Sequence, residues 1–352
     1  MSLLKEAVIF IPGWSPIEKG YYLSCLTDGL TQQLENIEIK EIETAKVGGY
    51  SGKRFEVNLN NNIKNVDIYE VFWLDLTCKL SDIALKEKLI GGTSLFFYWI
   101  FSKIWLSATK YPFLFQSFVS SIFLLICWYY GTIVMLLTAI GQDNTILGFA
   151  LDKNFATQIG ELGKYLGGWS IWLILSALIS FFPVNTGIDI SYFTMKFLDQ
   201  DTDGKVIRSK IRSRLSEIVY DLINENCYSK ITILSHSWGV VVATDFVADY
   251  HKDKPLRLIT LGGPLAILSY RSEWIDEEIK KCVDNEKLEN WTDFYSDQDW
   301  LSTKTPFPQG STYPKIQSFK NKLKFDLIKQ LRGKTHLSYF TDEQVLRTIL
   351  NL

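Results

Sequence analysis

Histidine is scarce in this chain of 352 residues, which has only His236, His251 and His336. Any chemistry that needs an imidazole therefore has three candidates. The five cysteines, Cys25, Cys78, Cys127, Cys227 and Cys282, are odd in number, widely separated and not spaced with histidine as metal ligands. They point away from a metal centre and fit a reduced compartment. Net charge is close to zero, at −2, so bulk attraction to nucleic acid is excluded as an organising feature. Internal repeats and low-complexity tracts are missing. A secretory signal is not expected either, because M-S-L-L-K-E runs almost directly into an apolar strand at 7–11. Charge itself is absent from two long stretches, 111–142 and 165–188.

The segment 231–239, I-T-I-L-S-H-S-W-G, reads as a strand running into a sharp turn. Its β-branched apolar start suits a strand covered on both faces, and the V-V-V-A-T-D-F-V that follows suits a helix packed on it. A turn this tight holds its central side chain, Ser237, clear of the sheet, and small residues must flank it because strand and helix approach closely. Here the flanks are Ser235 and Gly239, giving S-x-S-x-G where G-x-S-x-G is usual. A serine so exposed is a candidate nucleophile, and a nucleophilic serine needs a base.

Of the three histidines, His236 adjoins Ser237 and is expected to point away from it. His251, in H-K-D-K, ends the helix that starts at Gly239, where an imidazolium near the helix carbonyls is an ordinary feature. His336 lies in G-K-T-H-L-S-Y-F, ahead of T-D-E-Q with its capping-box spacing. That leaves His336 as the candidate base. A carboxylate between Ser237 and His336 should orient it. Asp297 and Asp299 follow an apolar strand at 290–295, and Glu273 or Asp276 follow an earlier one at 256–261.

Taken together, the elbow around Ser237, the strand Trp291-x-x-x-Tyr295 with acids just beyond it, and His336 before the last helix resemble the lipase and esterase branch of the α/β-hydrolases. The resemblance covers 5–14 and 189–350. It implies an α/β fold with a mostly parallel central sheet flanked by helices, and a triad in the chain order Ser, Asp, His. By the family's spacing Asp299 is the acid, with Asp297 the alternative. The resemblance also implies an oxyanion hole from the backbone N–H groups of Trp14, in P-G-W after the first strand, and of Trp238, worth about 3 kcal/mol per donor. No metal or organic cofactor is implied.

The uncharged stretches predict a membrane insertion. A helix needs roughly 20 apolar residues to cross a core of about 30 Å, which 117–140 and 166–184 provide. Strands before this block, at 7–11 and 66–76, and after it, at 231–234 and 256–261, should pair in one sheet, so an even number of crossings is required: a helical hairpin joined by a loop over 141–164. Residues 95–106, with Lys103, read as an interfacial or lid helix. A helix over 205–226 carries an apolar stripe and a basic face, Lys205, Arg208, Lys210, Arg212 and Arg214, either solvated or set against anionic lipid heads.

The resulting expectation is an α/β-hydrolase domain in two parts, 1–90 and 188–352, with an inserted region at 91–187. It is a membrane-anchored serine hydrolase with a cytoplasmic catalytic domain, cleaving acyl esters of lipids. The partners are the lipid bilayer and the lipid substrate, with self-association through the hairpin left open. Alternatives are a thioesterase or soluble-ester or peptide hydrolase merely anchored by the hairpin, and a non-catalytic membrane assembly protein on the same scaffold.

Overall fold

The computed structural model describes the chain except residues 1–3, 15–17, 61, 78–90, 92–93, 96, 100, 107–111, 147–148, 169–183, 200–201, 300–301, 309–314, 327–328 and 331–332. It divides into two compact units, one of Met1–Thr77, Ser102–Ser117 and Thr194–Leu352, the other of Cys78–Phe101 and Phe118–Phe193.

The strands, in chain order, are β1 Leu4–Ile11, β2 Glu38–Val47, β3 Tyr50–Leu59, β4 Asn62–Glu70, β5 Thr145–Ile146, β6 Phe149–Ala150, β7 Lys230–His236, β8 Leu256–Leu261, β9 Leu288–Tyr295 and β10 Ile316–Lys320. The helices are α1 Tyr21–Gln32, α2 Pro112–Asp143, α3 Lys153–Leu166, α4 Val184–Leu198, α5 Thr202–Glu225, α6 Gly239–Ala248, α7 Leu265–Ser269, α8 Glu273–Asp284, α9 Lys334–Leu337 and α10 Glu343–Ile349.

In the first unit eight strands form one sheet in the order β10-β9-β8-β7-β1-β4-β3-β2. Pairing is parallel from β10 through β4, and β3 pairs antiparallel with both β4 and β2. The molecule is thus an α/β structure with a mostly parallel central sheet flanked by helices. The reason is legible in the strands: a parallel strand buried on both faces must be apolar throughout, and residues 7–11 of β1 and all of β8 are buried. Val8 and Phe10 face one way, sharing a core with Leu26 and Leu30 of α1 and Leu346 and Ile349 of α10. α6 packs against β1, β7 and β8, with α5 and α8 against it in turn, so every α6 residue is buried. As expected from the sequence, strands on either side of the central insertion meet in one sheet, β7 lying directly beside β1.

Three local readings change. The strand expected over 66–76 stops at Glu70, and Leu74–Leu76 is a 3-10 turn. Trp73 draws the chain out of the sheet, for it is fully buried and donates its indole N–H to the Pro12 carbonyl at 2.9 Å. The three arginines of the basic face of α5 are paired, while Lys205 and Lys210 are exposed. Arg208 is buried on the carbonyls of Phe197 and Asp199, Arg212 pairs with Asp245 and Asp249, and Arg214 donates to the Phe72 carbonyl and Asp75. The last helix is capped by Asp342, whose carboxylate accepts from the Val345 N–H at 3.1 Å, rather than by Thr341.

In the second unit the loop expected over 141–164 is instead the short hairpin β5–β6 followed by α3. Asp152 caps α3 by accepting from the backbone of Asn154 and Phe155. Its buried residues are Ala156, Gly160 and Gly163. A Cβ on Gly160 would lie 2.6 Å from the Gly141 Cα, and one on Gly163 would lie 2.7 Å from the Thr138 nitrogen. α3 therefore folds back along α2 at near backbone contact, and Tyr130 donates to the Leu166 carbonyl. Small residues line the contact while Phe155, Leu162 and Tyr165 are exposed.

Helix α2 runs for 32 residues with its first charge at Asp143. Among the described residues, no helix is long and apolar enough to cross a membrane. The side chains of 112–121, 124, 125 and 128 lie outside the described residues, as does 169–183, which holds most of the second expected span.

Candidate active site

In a parallel sheet the loops after the carboxyl ends of neighbouring strands converge on one crevice. Here those loops are Pro12-Gly13-Trp14 after β1, Ser237 after β7, Gly262 after β8 and 296–299 after β9.

Ser237 has φ of 56°, a left-handed conformation that a non-glycine residue adopts at a cost of order 1–3 kcal/mol and that persists only where its surroundings impose it. The constraints are visible. Its N–H donates to the Leu261 carbonyl at 2.8 Å, and its carbonyl accepts from Val240 at 3.0 Å. Gly239 explains why the flank must be small: a Cβ there would lie 2.4 Å from the Ile11 carbonyl oxygen. Ser235, at the other flank, is fully buried inside the sheet and donates to the Ile259 carbonyl at 3.4 Å. Ser237 is only partly buried. Gly13 lies against it, since a Cβ there would come within 2.5 Å of the Ser237 Cβ and 3.1 Å of its Oγ.

His336 sits on the single turn α9, and its Nδ1 is 2.7 Å from Asp299 Oδ2. Asp299, fully buried, also accepts from the hydroxyls of Ser302 at 2.7 Å and Tyr339 at 3.0 Å. Because a carboxylate only accepts, Nδ1 is the donor and Nε2 of the neutral ring holds a lone pair. That Nε2 is buried and has no hydrogen-bond partner among the described residues. An unpaired buried acceptor costs roughly 1–3 kcal/mol, and here it is an imidazole oriented by a carboxylate, the arrangement of a general base. Burial, then the adjacent Asp299, holds the Tyr339 phenol well above its ordinary range, so it remains a donor.

The two acids considered after β9 separate clearly. Asp299 meets His336, whereas Asp297 is exposed and paired with Lys320. The earlier candidates Glu273 and Asp276 belong to α8, with Glu273 exposed and facing Lys103 at 3.6 Å. His251 is exposed just past α6.

Trp14 and Trp238 are both buried, their indoles lying 6.2 and 5.7 Å from that of Trp73. Trp238 also packs edge-on against Phe197 at 4.7 Å and donates its indole N–H to Thr194 at 3.0 Å. Three indoles thus tie the loop after β1 to the turn after β7. Sequence reasoning missed Trp73, Ser302 and Tyr339. Tyr339 carried a usable signal, standing one helical turn after His336, while the other two carried none.

His236 was set aside on sequence as pointing away from Ser237. It is fully buried, its ring is 4.6 Å from that of His336, and its Nε2 is 2.8 Å from the His336 carbonyl. Burial first, and then repulsion from a charged His336, push its pKa down to about 3 from 6.5. The unfolded chain takes up a proton here that the folded chain refuses, so this part of the stability is complete above pH 6.5 and is lost as pH falls toward 3. Denaturant titrations over that range should show stability declining by up to about 1.4 kcal/mol per pH unit from this group. In His236→Phe the decline should be visibly shallower; an unchanged slope would mean that His236 is protonated in the folded protein.

Among the described residues, no group of three or more His, Cys, Asp and Glu side chains could hold a metal ion. Comparison with known proteins finds no family model that matches the chain, no curated protein similar to it and no solved structure that matches its fold.

Proposed function

We propose that the chain is a serine hydrolase of the α/β-hydrolase type, acting on acyl esters of lipids. The observation that carries this reading is the buried His336, fixed by Asp299 through Nδ1 and unpartnered at Nε2 among the described residues, together with a serine held at positive φ in the turn after β7. Ser237 Oγ attacks the ester carbonyl carbon and passes its proton to His336 Nε2. The imidazolium, stabilised by Asp299, returns the proton to the departing alcohol. Water, deprotonated by the same nitrogen, then cleaves the acyl-enzyme to a carboxylic acid and free Ser237. The backbone N–H groups of Trp14 and Trp238 would hold the tetrahedral oxyanion. Ser237 and His336 share no hydrogen bond here; in unliganded hydrolases that contact commonly closes only with substrate present.

A lipid substrate is supported by the second unit. Phe123, Ile126, Met135, Phe149, Phe155, Leu162 and Tyr165 are all exposed there, and a water-soluble protein seldom shows so many large apolar side chains in one region. We place this unit at the bilayer. α3, whose outward apolar residues accompany a polar face with Glu161 and Lys164, suits the interface.

The test is labelling of detergent-extracted protein with a fluorophosphonate, together with turnover of a series of esters of increasing acyl length. Labelling, and kcat/KM rising with chain length, are the expected results. Turnover confined to short soluble esters would leave the hydrolase and remove the lipid substrate. Absence of both labelling and turnover would return the fold to a non-catalytic role.

A further inference from the structure

We infer that His236 is a positioning residue for His336, a neutral imidazole that fixes the base through its own backbone. The inference deepens the serine-hydrolase reading and rests on it for its kinetic consequence. Four observations combine. The His236 side chain is wholly buried, so its ring cannot exchange partners with solvent. Its Nε2 is 2.8 Å from the His336 carbonyl oxygen. A carbonyl accepts, so Nε2 carries the hydrogen, and in a neutral ring Nδ1 must then hold the lone pair.

That Nδ1 is buried with no partner among the described residues, and it faces the loop after β1: a Cβ on Gly13 would sit 3.2 Å from it and 3.1 Å from Ser237 Oγ. The ring is finally clamped by aromatic neighbours, Phe340 at 4.8 Å, Tyr22 at 5.3 Å, Tyr339 at 6.3 Å and His336 itself at 4.6 Å. One imidazole thus touches the turn that carries His336, adjoins Ser237 in the chain and abuts Gly13.

The physical role follows from α9 being a single turn. Asp299 holds the imidazole of His336 at one end, but a ring held only at Nδ1 can still swing with its backbone. The bond from His236 to the His336 carbonyl fixes that backbone. A small displacement of the base costs far more in turnover than in substrate binding, because alignment is needed in the transition state.

Two variants test this. His236→Phe fills the ring volume but cannot donate, whereas His236→Gln restores an N–H near the position of Nε2. On a short acyl ester, kcat should fall about tenfold or more in His236→Phe with KM little changed, and His236→Gln should recover most of it. A second readout needs no turnover: the strongly deshielded proton NMR signal of His336 Nδ1–H against Asp299, present in the native protein, should broaden or vanish in His236→Phe and return in His236→Gln. Should His236→Phe fail to fold, His236→Asn, too short to reach the carbonyl, replaces it.

Equal kcat in all variants with an unaltered proton signal would overturn the positioning role. Loss of the signal in His236→Phe and its return in His236→Gln, with a native protein that neither labels nor turns over, would keep the positioning and strike only the hydrolase.

Discussion

Ser237→Ala is expected to abolish fluorophosphonate labelling and to lower ester turnover by roughly 10⁶-fold, the loss found when a serine nucleophile is removed. Ser235→Ala should label at the native rate. The two serines stand two positions apart in one motif, yet only one is held at φ 56° outside the sheet, while the other is fully buried and bonded to Ile259. Intact-mass analysis after labelling decides the matter: an adduct that survives Ser237→Ala would place the nucleophile elsewhere. Melting temperature should stay within a few degrees in both variants, because neither hydroxyl closes a buried network of charges.

Asp299→Asn carries the second large effect, a fall in kcat of about 10⁴-fold with folding retained. Three donors converge on Asp299 Oδ2, from His336, Ser302 and Tyr339. An amide of the same shape satisfies some of them but presents its NH₂ group to the imidazole as readily as its oxygen, and the ring then adopts the tautomer with its hydrogen on Nε2, which cannot accept a proton from serine. Asp297→Asn is the internal control. Its carboxylate is exposed and paired with Lys320, an ion pair worth at most about 1 kcal/mol, so turnover should match the native protein. Measured kcat on a short ester separates the two; similar losses in both variants would mean that the acid has been misassigned.

How far the sequence could be read depended on how local each signal was. The turn at Ser237 was legible because strand, turn and helix lie within one short segment, and the need for Gly239 is written by the closeness of Ile11. The candidate base, His336, was legible by scarcity, since only three histidines had to be compared. The acid was narrowed to neighbours but not separated by residue type: Asp297 and Asp299 differ only in which way the chain turns after β9, which the bonds around Ser296 determine. Arg212 and Arg214 of α5 were misread because the partners that absorb them stand 33 and 139 positions away, at Asp245 and Asp75. The loop over 141–164 was misread for a related reason. Gly160 and Gly163 weaken a helix signal, and their purpose, to let α3 lie directly on α2, exists only once both helices are present.

By itself the sequence determined the alternation of apolar strands with helices, the order of serine, acid and histidine along the chain, and the bend at residue 237. These follow from periodicity and steric limits that act over a few neighbours. Tertiary structure alone decided how Trp73 locks two loops together and that the buried His236 ring bonds to the His336 carbonyl. Those contacts join residues up to a hundred or more positions apart, and their energies come from burial and pairing that no local pattern encodes.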